Sequence, residues 1–190
     1  MGSPVEPPLI LASTSPQRRA ILVQLRIPFE VVAPGFHEER GTSPLERAAG
    51  KARSVECVDE RPVLGVDTEV LLDAELLGKP ADETEAEAML ESLSGRTHEV
   101  VSGLCLRTPA WEELHEETTH VTFRALTPRD LANYVESREW EGRAGGYAIQ
   151  GLGAALVERV EGDYLNVVGL PVAALVRLLV TRFAGVYGFG

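Results

Sequence analysis

Asp67 and Thr68 close the apolar run Pro62–Val66, and Ser13, Ser15 and Arg18 follow the apolar run Leu9–Ala12. A carboxylate at the end of a strand-like run can hold a divalent metal or act as a base on water. The same side chain can also simply cap a helix or turn. Hydroxyls, a guanidinium and the open N–H groups of a helix beginning at Pro16 suit a phosphate. The plain alternative makes Ser15 an N-cap with Pro16 at the first helical position. Glu38 and Glu39, in the polar loop 34–41, are further oxygen donors or solvated acids. Gln150 stands between Ile149 and Gly151, with glycines at 145, 146, 151 and 153. Its amide can pair with a nucleobase edge or satisfy backbone groups in its own turn. Together with Lys51 and Lys79, these are the parts that metal-assisted hydrolysis of a nucleoside triphosphate needs.

Composition narrows the partners. The 190 residues carry 18 basic against 29 acidic side chains, a formal net charge of -11. A nucleic-acid polymer and an anionic membrane both call for a broad basic face, so neither is expected as a partner. A small anion in a local pocket remains open. Lys51 and Lys79 are the two lysines among those 18 basic residues. They are either places where a compact ammonium does what a guanidinium cannot, or remnants of a composition bias. No apolar run approaches the roughly 20 residues that span a bilayer. Residues 1–8 read as a disordered lead-in without the basic and apolar parts of a secretion signal. Cys57 and Cys105 lack metal-like spacing and read as small buried side chains, which places the chain in the cytoplasm. Histidines 37, 98, 115 and 120 share no metal spacing, and no G-x-S-x-G elbow, P-loop or G-x-G-x-x-G fingerprint is present.

The elements that must position these residues alternate between strand and helix. Leu9–Ala12 predicts a strand, then a helix from Pro16 to about Leu25 with Ala20, Ile21 and Leu25 on one face. Phe29–Val32 predicts a second strand, and Ser43-Pro44 starts a helix that carries Lys51. Pro62–Thr68 predicts a strand ending on Asp67 and Thr68, outside the carboxyl end where open α/β sheets bind ligands. Val70–Leu72 and Glu75–Leu77 pair as a hairpin about Asp73-Ala74. A helix over Thr84–Leu93 precedes strands at about His98–Leu106 and Glu113–Phe123. Thr127-Pro-Arg-Asp130 opens a helix with a capping box. Ala154–Val160 and Tyr164–Val168 predict strands, and Pro171 opens a last helix to about Phe183. The pattern is α/β with a mixed sheet in a single domain over 9–190.

Several segments resemble the Maf family of nucleotide pyrophosphatases, the septum-formation-protein family. They are Leu11-Ala-Ser-Thr-Ser-Pro-Gln-Arg18, Lys51-Ala52, Gly65-Val-Asp-Thr68, Gly78-Lys-Pro80, Leu93-Ser-Gly-Arg-Thr-His98, Val121-Thr-Phe-Arg124, Ala144-Gly-Gly-Tyr-Ala-Ile-Gln-Gly151 and Glu161–Pro171. The resemblance implies a Maf/ITPase-like α/β fold, a mixed sheet with flanking helices and two lobes around a central cleft, as a homodimer. It implies Mg²⁺- or Mn²⁺-dependent hydrolysis of a nucleoside triphosphate to the monophosphate and pyrophosphate. By motif position, Asp67 and Glu38 are the catalytic and metal-organising carboxylates. Ser13, Arg18, Lys51 and Lys79 match the phosphate-binding set, and Ser15 is a further substrate-binding candidate. Thr68 and Gln150 match the branch acting on dTTP and UTP. The chain departs from that pattern at three places: Gln17 replaces an arginine linked to substrate choice, Gly142-Arg143 replaces Asp-Lys, and His37 replaces an aspartate. A modified-base hydrolase and a non-enzymatic inhibitor of septum formation are the alternatives that the resemblance leaves open.

Overall fold

A computed structural model of the chain describes residues 8–36, 41–57 and 60–189; Glu38, Glu39, His37 and the lead-in before residue 8 lie outside them. The strands are β1 (Leu9–Ala12), β2 (Phe29–Val31), β3 (Val63–Leu72), β4 (Glu75–Leu77), β5 (Thr97–Arg107), β6 (Glu112–Phe123) and β7 (Val157–Glu161). The helices are α1 (Pro16–Gln24), α2 (Pro44–Arg53), α3 (Glu83–Leu93), α4 (Pro128–Ser137), α5 (Tyr164–Val168) and α6 (Val172–Arg182). The strands form one seven-stranded mixed sheet in the order β2-β1-β3-β5-β6-β7, with β4 beside β3. β1 runs parallel to β2 and β3, whereas β3–β4 and β6–β7 are antiparallel. The α/β class and mixed sheet expected from the sequence are those observed. Among the described residues, no helix is long and apolar enough to cross a membrane.

Contacts group the chain into two compact units. The first comprises residues up to Asp67, Ser102–Glu117 and Gly169–Gly190. Its core packs Ile10, Ala12 and Val63 against Ala48, Ala49 and Ala52 of α2. Small residues on both sides let α2 lie almost on the sheet. A Cβ on Gly65 would stand 2.8 Å from Ala52 N and closer still to Ala48 O. A Cβ on Gly103 would collide with the backbone of Pro44 and Leu45. Ser43 caps this helix by accepting from Glu46 N at 3.2 Å, with Pro44 in the first turn, as the sequence predicts.

The second unit comprises Thr68–Val101 and Thr118–Val168. Its core gathers Val70, Leu90, Leu93, Val100, Phe123, Tyr134, Tyr147 and Ile149. The predicted capping box of α4 is present: Asp130 N donates to Thr127 Oγ1 at 3.2 Å and Thr127 N to Asp130 Oδ2 at 2.8 Å.

Three expectations change. Tyr164–Val168 is a short helix, not a strand, because the Asp163 carboxylate accepts from Leu165 N at 2.8 Å and caps it. The strand expected over Ala154–Val160 begins at Val157, after a 3-10 turn over Leu152–Leu156. In α1 the buried face is Arg18, Ile21 and Leu22, while Ala20 is exposed and Leu25 half-buried. Arg18 belongs to that face because its guanidinium finds partners inside the protein.

Candidate active site

Asp67 does not end its strand: β3 continues to Leu72. The carboxylate still lies at the mouth of the parallel strands. β1 pairs with β3 only as far as Ala12–Gly65, and β4 takes up pairing at Val70. Asp67 falls in the gap between, and Ser13, the residue after Ala12, leaves β1 at the same end. Alternation along the strand puts Asp67 on the same face as Gly65, the face that α2 covers.

That geometry sets the central contact. Lys51 Nζ lies 2.6 Å from Asp67 Oδ1, and Arg47 Nε lies 2.6 Å from Asp67 Oδ2. The two cations are four residues apart on α2 and so share one helix face. Asp67 and Lys51 are buried, at 7% and 6% exposure. Burying ions in this way is costly unless they are paired. Asp67 thus accepts from two cations of α2, one at each of its oxygens. Arg47 is held further by donating Nη1–H to Gly41 O at 3.2 Å. Arg47 was not singled out from the sequence. Its spacing of four from Lys51 was the available signal, but it gains meaning only once α2 is laid on β3.

The loop after β1 forms a second group in the same unit. Arg18 donates from Nη1 to Ser13 Oγ at 3.1 Å and from Nε to Gly169 O at 2.9 Å. Ser13 Oγ also accepts from Ser15 N at 3.3 Å. Ser15 caps α1, accepting from Arg18 N at 3.5 Å, and its hydroxyl donates to Gln17 Oε1 at 3.0 Å. The capping alternative for Ser15 and Pro16 is therefore realised. Gln17 is half-buried at the helix start.

Thr68, Lys79 and Gln150 belong to the second unit. Thr68 is half-buried on β3, and Lys79 and Gln150 are exposed on loops. Gly145 N donates to Gly78 O at 3.0 Å, which joins the Lys79 loop to the segment leading to Gln150. That segment is anchored inward. Tyr147 Oη and His98 Nε2 are 2.8 Å apart, and Ala148 N donates to Tyr134 Oη at 2.9 Å. Burial pushes the His98 imidazole down to about 4, so this histidine is neutral at pH 7. It braces a loop rather than offering a metal ligand. Asn166, in the last motif, is likewise structural, donating Nδ2–H to Val100 O at 3.0 Å and to Thr119 Oγ1 at 3.1 Å. Cys105 is a buried free thiol and Cys57 a half-buried one.

Among the described residues, no group of three or more His, Cys, Asp or Glu side chains gathers as a metal cage. A magnesium-like cation needs less, since it is commonly held by one or two carboxylates together with substrate phosphates and waters. Asp67 supplies a hard oxygen donor of that kind, with both oxygens engaged by cations. Glu38, the other expected metal carboxylate, lies outside the described residues.

Comparison with known proteins completes the picture. The chain is 48% identical to a dTTP/UTP pyrophosphatase of Deinococcus radiodurans, covering 100% of both chains. It is 49% identical to a dTTP/UTP pyrophosphatase of Thermus thermophilus, over 96% of this chain and 98% of that one. A third dTTP/UTP pyrophosphatase, from Bacillus velezensis, is 44% identical over 90% of this chain and 94% of its own. A HAM1 protein from Coxiella burnetii is a more partial likeness, with TM-score 0.46 and 20% identity over 60% of this chain and 72% of that one. The family model described as Maf-like protein matches residues 8–182, and with these relatives it shows that the chain belongs to the Maf family.

Proposed function

We propose that this chain is a nucleoside triphosphate pyrophosphatase that hydrolyses dTTP and UTP to the monophosphate and pyrophosphate. The observation that carries the reading is Asp67 held between Lys51 and Arg47, two cations gathered beside the end of the β1–β3 pairing. Family membership supplies the reaction class. An ammonium and a guanidinium held side by side suit the oxygens of a phosphate chain.

In this reading Lys51 and Lys79 stabilise charge that grows on the departing pyrophosphate, the electrostatic contribution that usually dominates such chemistry. Ser13 offers its hydroxyl to a phosphate oxygen and Arg18 fixes its orientation. Ser15 and Pro16 start α1, so that its N-terminal N–H groups face the same anion. Gln150 and Thr68 read the base, and Gln17 modulates that choice. Maf-family nucleotide pyrophosphatases are generally metal-dependent. Asp67 with Glu38 would hold the Mg²⁺ or Mn²⁺, which when bound supplies Lewis-acid charge and lowers the pKa of a water. Asp67 then serves to orient the attacking water toward the α-phosphorus. The family resemblance also carries a single domain, homodimer assembly and a cytoplasmic setting; sedimentation of the purified chain checks the dimer.

The test is pyrophosphate release from a panel of dTTP, UTP, CTP and 7-methyl-GTP with Mg²⁺ or Mn²⁺. Asp67→Asn keeps the side-chain shape and removes the charge. Turnover should fall by at least about 10²–10³, the usual cost of losing a preorganised charged contact. Nucleotide binding should persist, because Lys51 and Arg47 remain. Orthophosphate as the first product, or wild-type turnover in Asp67→Asn, overturns the reading.

A further inference from the structure

We infer that Glu139 is a positioning residue that sets base selectivity by holding the backbone beneath Gln150. The inference rests on the pyrophosphatase reading, in which Gln150 meets the base, but concerns a residue outside the segments that carry the resemblance. Both residues belong to the second unit. Gln150 is exposed on a turn in which Gly151 N donates to Ala148 O at 3.1 Å. Gly151 is the N-cap of the 3-10 turn over Leu152–Leu156 and has no side chain with which to cap it. Glu139 supplies the missing cap. Its Oε2 accepts from Gly153 N at 3.4 Å, the N–H that an N-cap side chain ordinarily serves. A Cβ on Gly151 would fall on both Glu139 oxygens, so the carboxylate fills the space of the absent side chain. Negative charge is favoured there, because the first N–H groups of a helical turn carry partial positive charge. Glu139 is itself fixed from both sides. It follows Arg138, whose φ of 60° ends α4, and its own N–H donates to Ser137 Oγ at 3.3 Å. Next to it, Trp140 Nε1 donates to Val135 O at 3.0 Å. Across the turn, Tyr134 Oη accepts from Ala148 N at 2.9 Å, and Ile149 is buried. Gln150 therefore stands between two anchors, one on α4 and one just after it. Placement decides what its amide can select. Guanine N1–H and O6 offer the same donor and acceptor as uracil N3–H and O4, one ring further from the sugar. A glutamine amide suits either pair. The distance of the Gln150 backbone from the sugar then separates pyrimidine from purine, and Glu139 fixes that backbone.

The test is calorimetric binding of UTP, GTP and inorganic tripolyphosphate to the full chain, with EDTA present to prevent turnover. Wild type should prefer UTP to GTP. Glu139→Ala should lower that preference at least about fivefold, the low end of what one well-placed amide–base contact discriminates. Tripolyphosphate has no base, so its affinity should not change, which a general loss of structure would not allow. Glu139→Gln keeps an oxygen that can accept from Gly153 N and should retain the wild-type preference. Gly151→Ala puts a methyl where the carboxylate lies and should lower the preference as Glu139→Ala does, which covers poor folding of the latter. In the double variant the methyl enters vacated space, so its preference should match that of Glu139→Ala alone. The same ratio taken from KM for pyrophosphate release with Mg²⁺ is the second readout. There kcat for UTP should hold, since a base contact made equally before and in the transition state moves KM. An unmoved UTP-to-GTP ratio in Glu139→Ala and Gly151→Ala overturns the inference, as does tripolyphosphate affinity that falls in step with UTP. A wild type that prefers neither base overturns it too. Preference for UTP without pyrophosphate release sinks the pyrophosphatase reading alone, whereas normal release with an unmoved ratio sinks only the role of Glu139.

Discussion

A methyl group at Gly65, far smaller than any of the charged groups it would disturb, should disable the site. The Cβ of Gly65→Ala would lie 2.8 Å from Ala52 N and 2.9 Å from Ala52 Cβ, with Ala48 O nearer still. Ordinary contacts for such atoms are about 3.5–4.0 Å. Either α2 retreats by roughly 1 Å or β3 bends by as much. Ala48, Ala49 and Ala52 are core residues with no long side chain to reorient, so the backbone must yield. Overpacking of this kind costs about 1–3 kcal/mol. For a chain of this length each kcal/mol lowers Tm by roughly 2–4 °C, so a fall of about 2–12 °C is expected. The effect on chemistry is separate. Lys51 follows Ala48 by one turn and Asp67 follows Gly65 by two residues, so the same shift acts directly on the 2.6 Å contacts between helix and strand. A displacement of about 1 Å commonly costs about 10² in rate. Thermal unfolding and pyrophosphate release, measured well below the variant's Tm, separate the two effects. A Gly65→Ala protein with unchanged Tm and full turnover refutes the claim that α2 must touch β3 for the cluster to form.

The second unit yields two further expectations. Because His98 titrates at about 4 when folded and near 6.5 when free, the unfolded chain binds more protons between those values. Stability should therefore fall by about 3 kcal/mol as pH drops from about 6.5 to about 4, a slope that urea denaturation would lose in His98→Gln; identical pH profiles for the two proteins contradict this. Asn166→Ala should leave Val100 O short of the Asn166 Nδ2–H donor at a buried position, while the Thr119 hydroxyl keeps its donor, Asp163 N. A loss of about 1–3 kcal/mol in the same denaturation assay is expected, and a loss below about 0.5 kcal/mol would show that the linkage carries little.

What could be read in the chain beforehand follows a physical divide. Ser15-Pro16, Ser43-Pro44 and Thr127-Pro128 all start helices as expected, because capping is decided within four residues. Tyr164–Val168 misled because its apolar and β-branched residues suit a strand, whereas one carboxylate at Asp163 decides for a helix. The extent of β3 was hidden for a different reason. A carboxylate ordinarily ends an apolar strand, and Asp67 does not because its charge is met by side chains 16 and 20 residues earlier. Arg47 escaped on the same grounds: in an arginine-rich chain its spacing from Lys51 is ordinary, and only the packing of α2 on β3 gives it a partner. Lys51 and Asp67 were each legible by type and place, but their mutual contact was not.

The site therefore depends on two kinds of residue that a search for chemistry treats unequally. Lys51, Arg47 and Asp67 carry charge, yet α2 brings them together only because Gly65 and Gly103 carry no side chain. The chain's charge of -11 makes this closeness matter. At a Debye length of about 8 Å, acidic groups elsewhere on the surface are largely screened from an entering triphosphate. The buried cations are screened far less and act at contact range. An acidic protein can hold a polyanion on that condition alone, that its few decisive cations stay buried and fixed while its acids stay in water. Backbone-level packing of α2 on β3 meets the condition, which makes the two glycines as necessary to the electrostatics as the lysine itself.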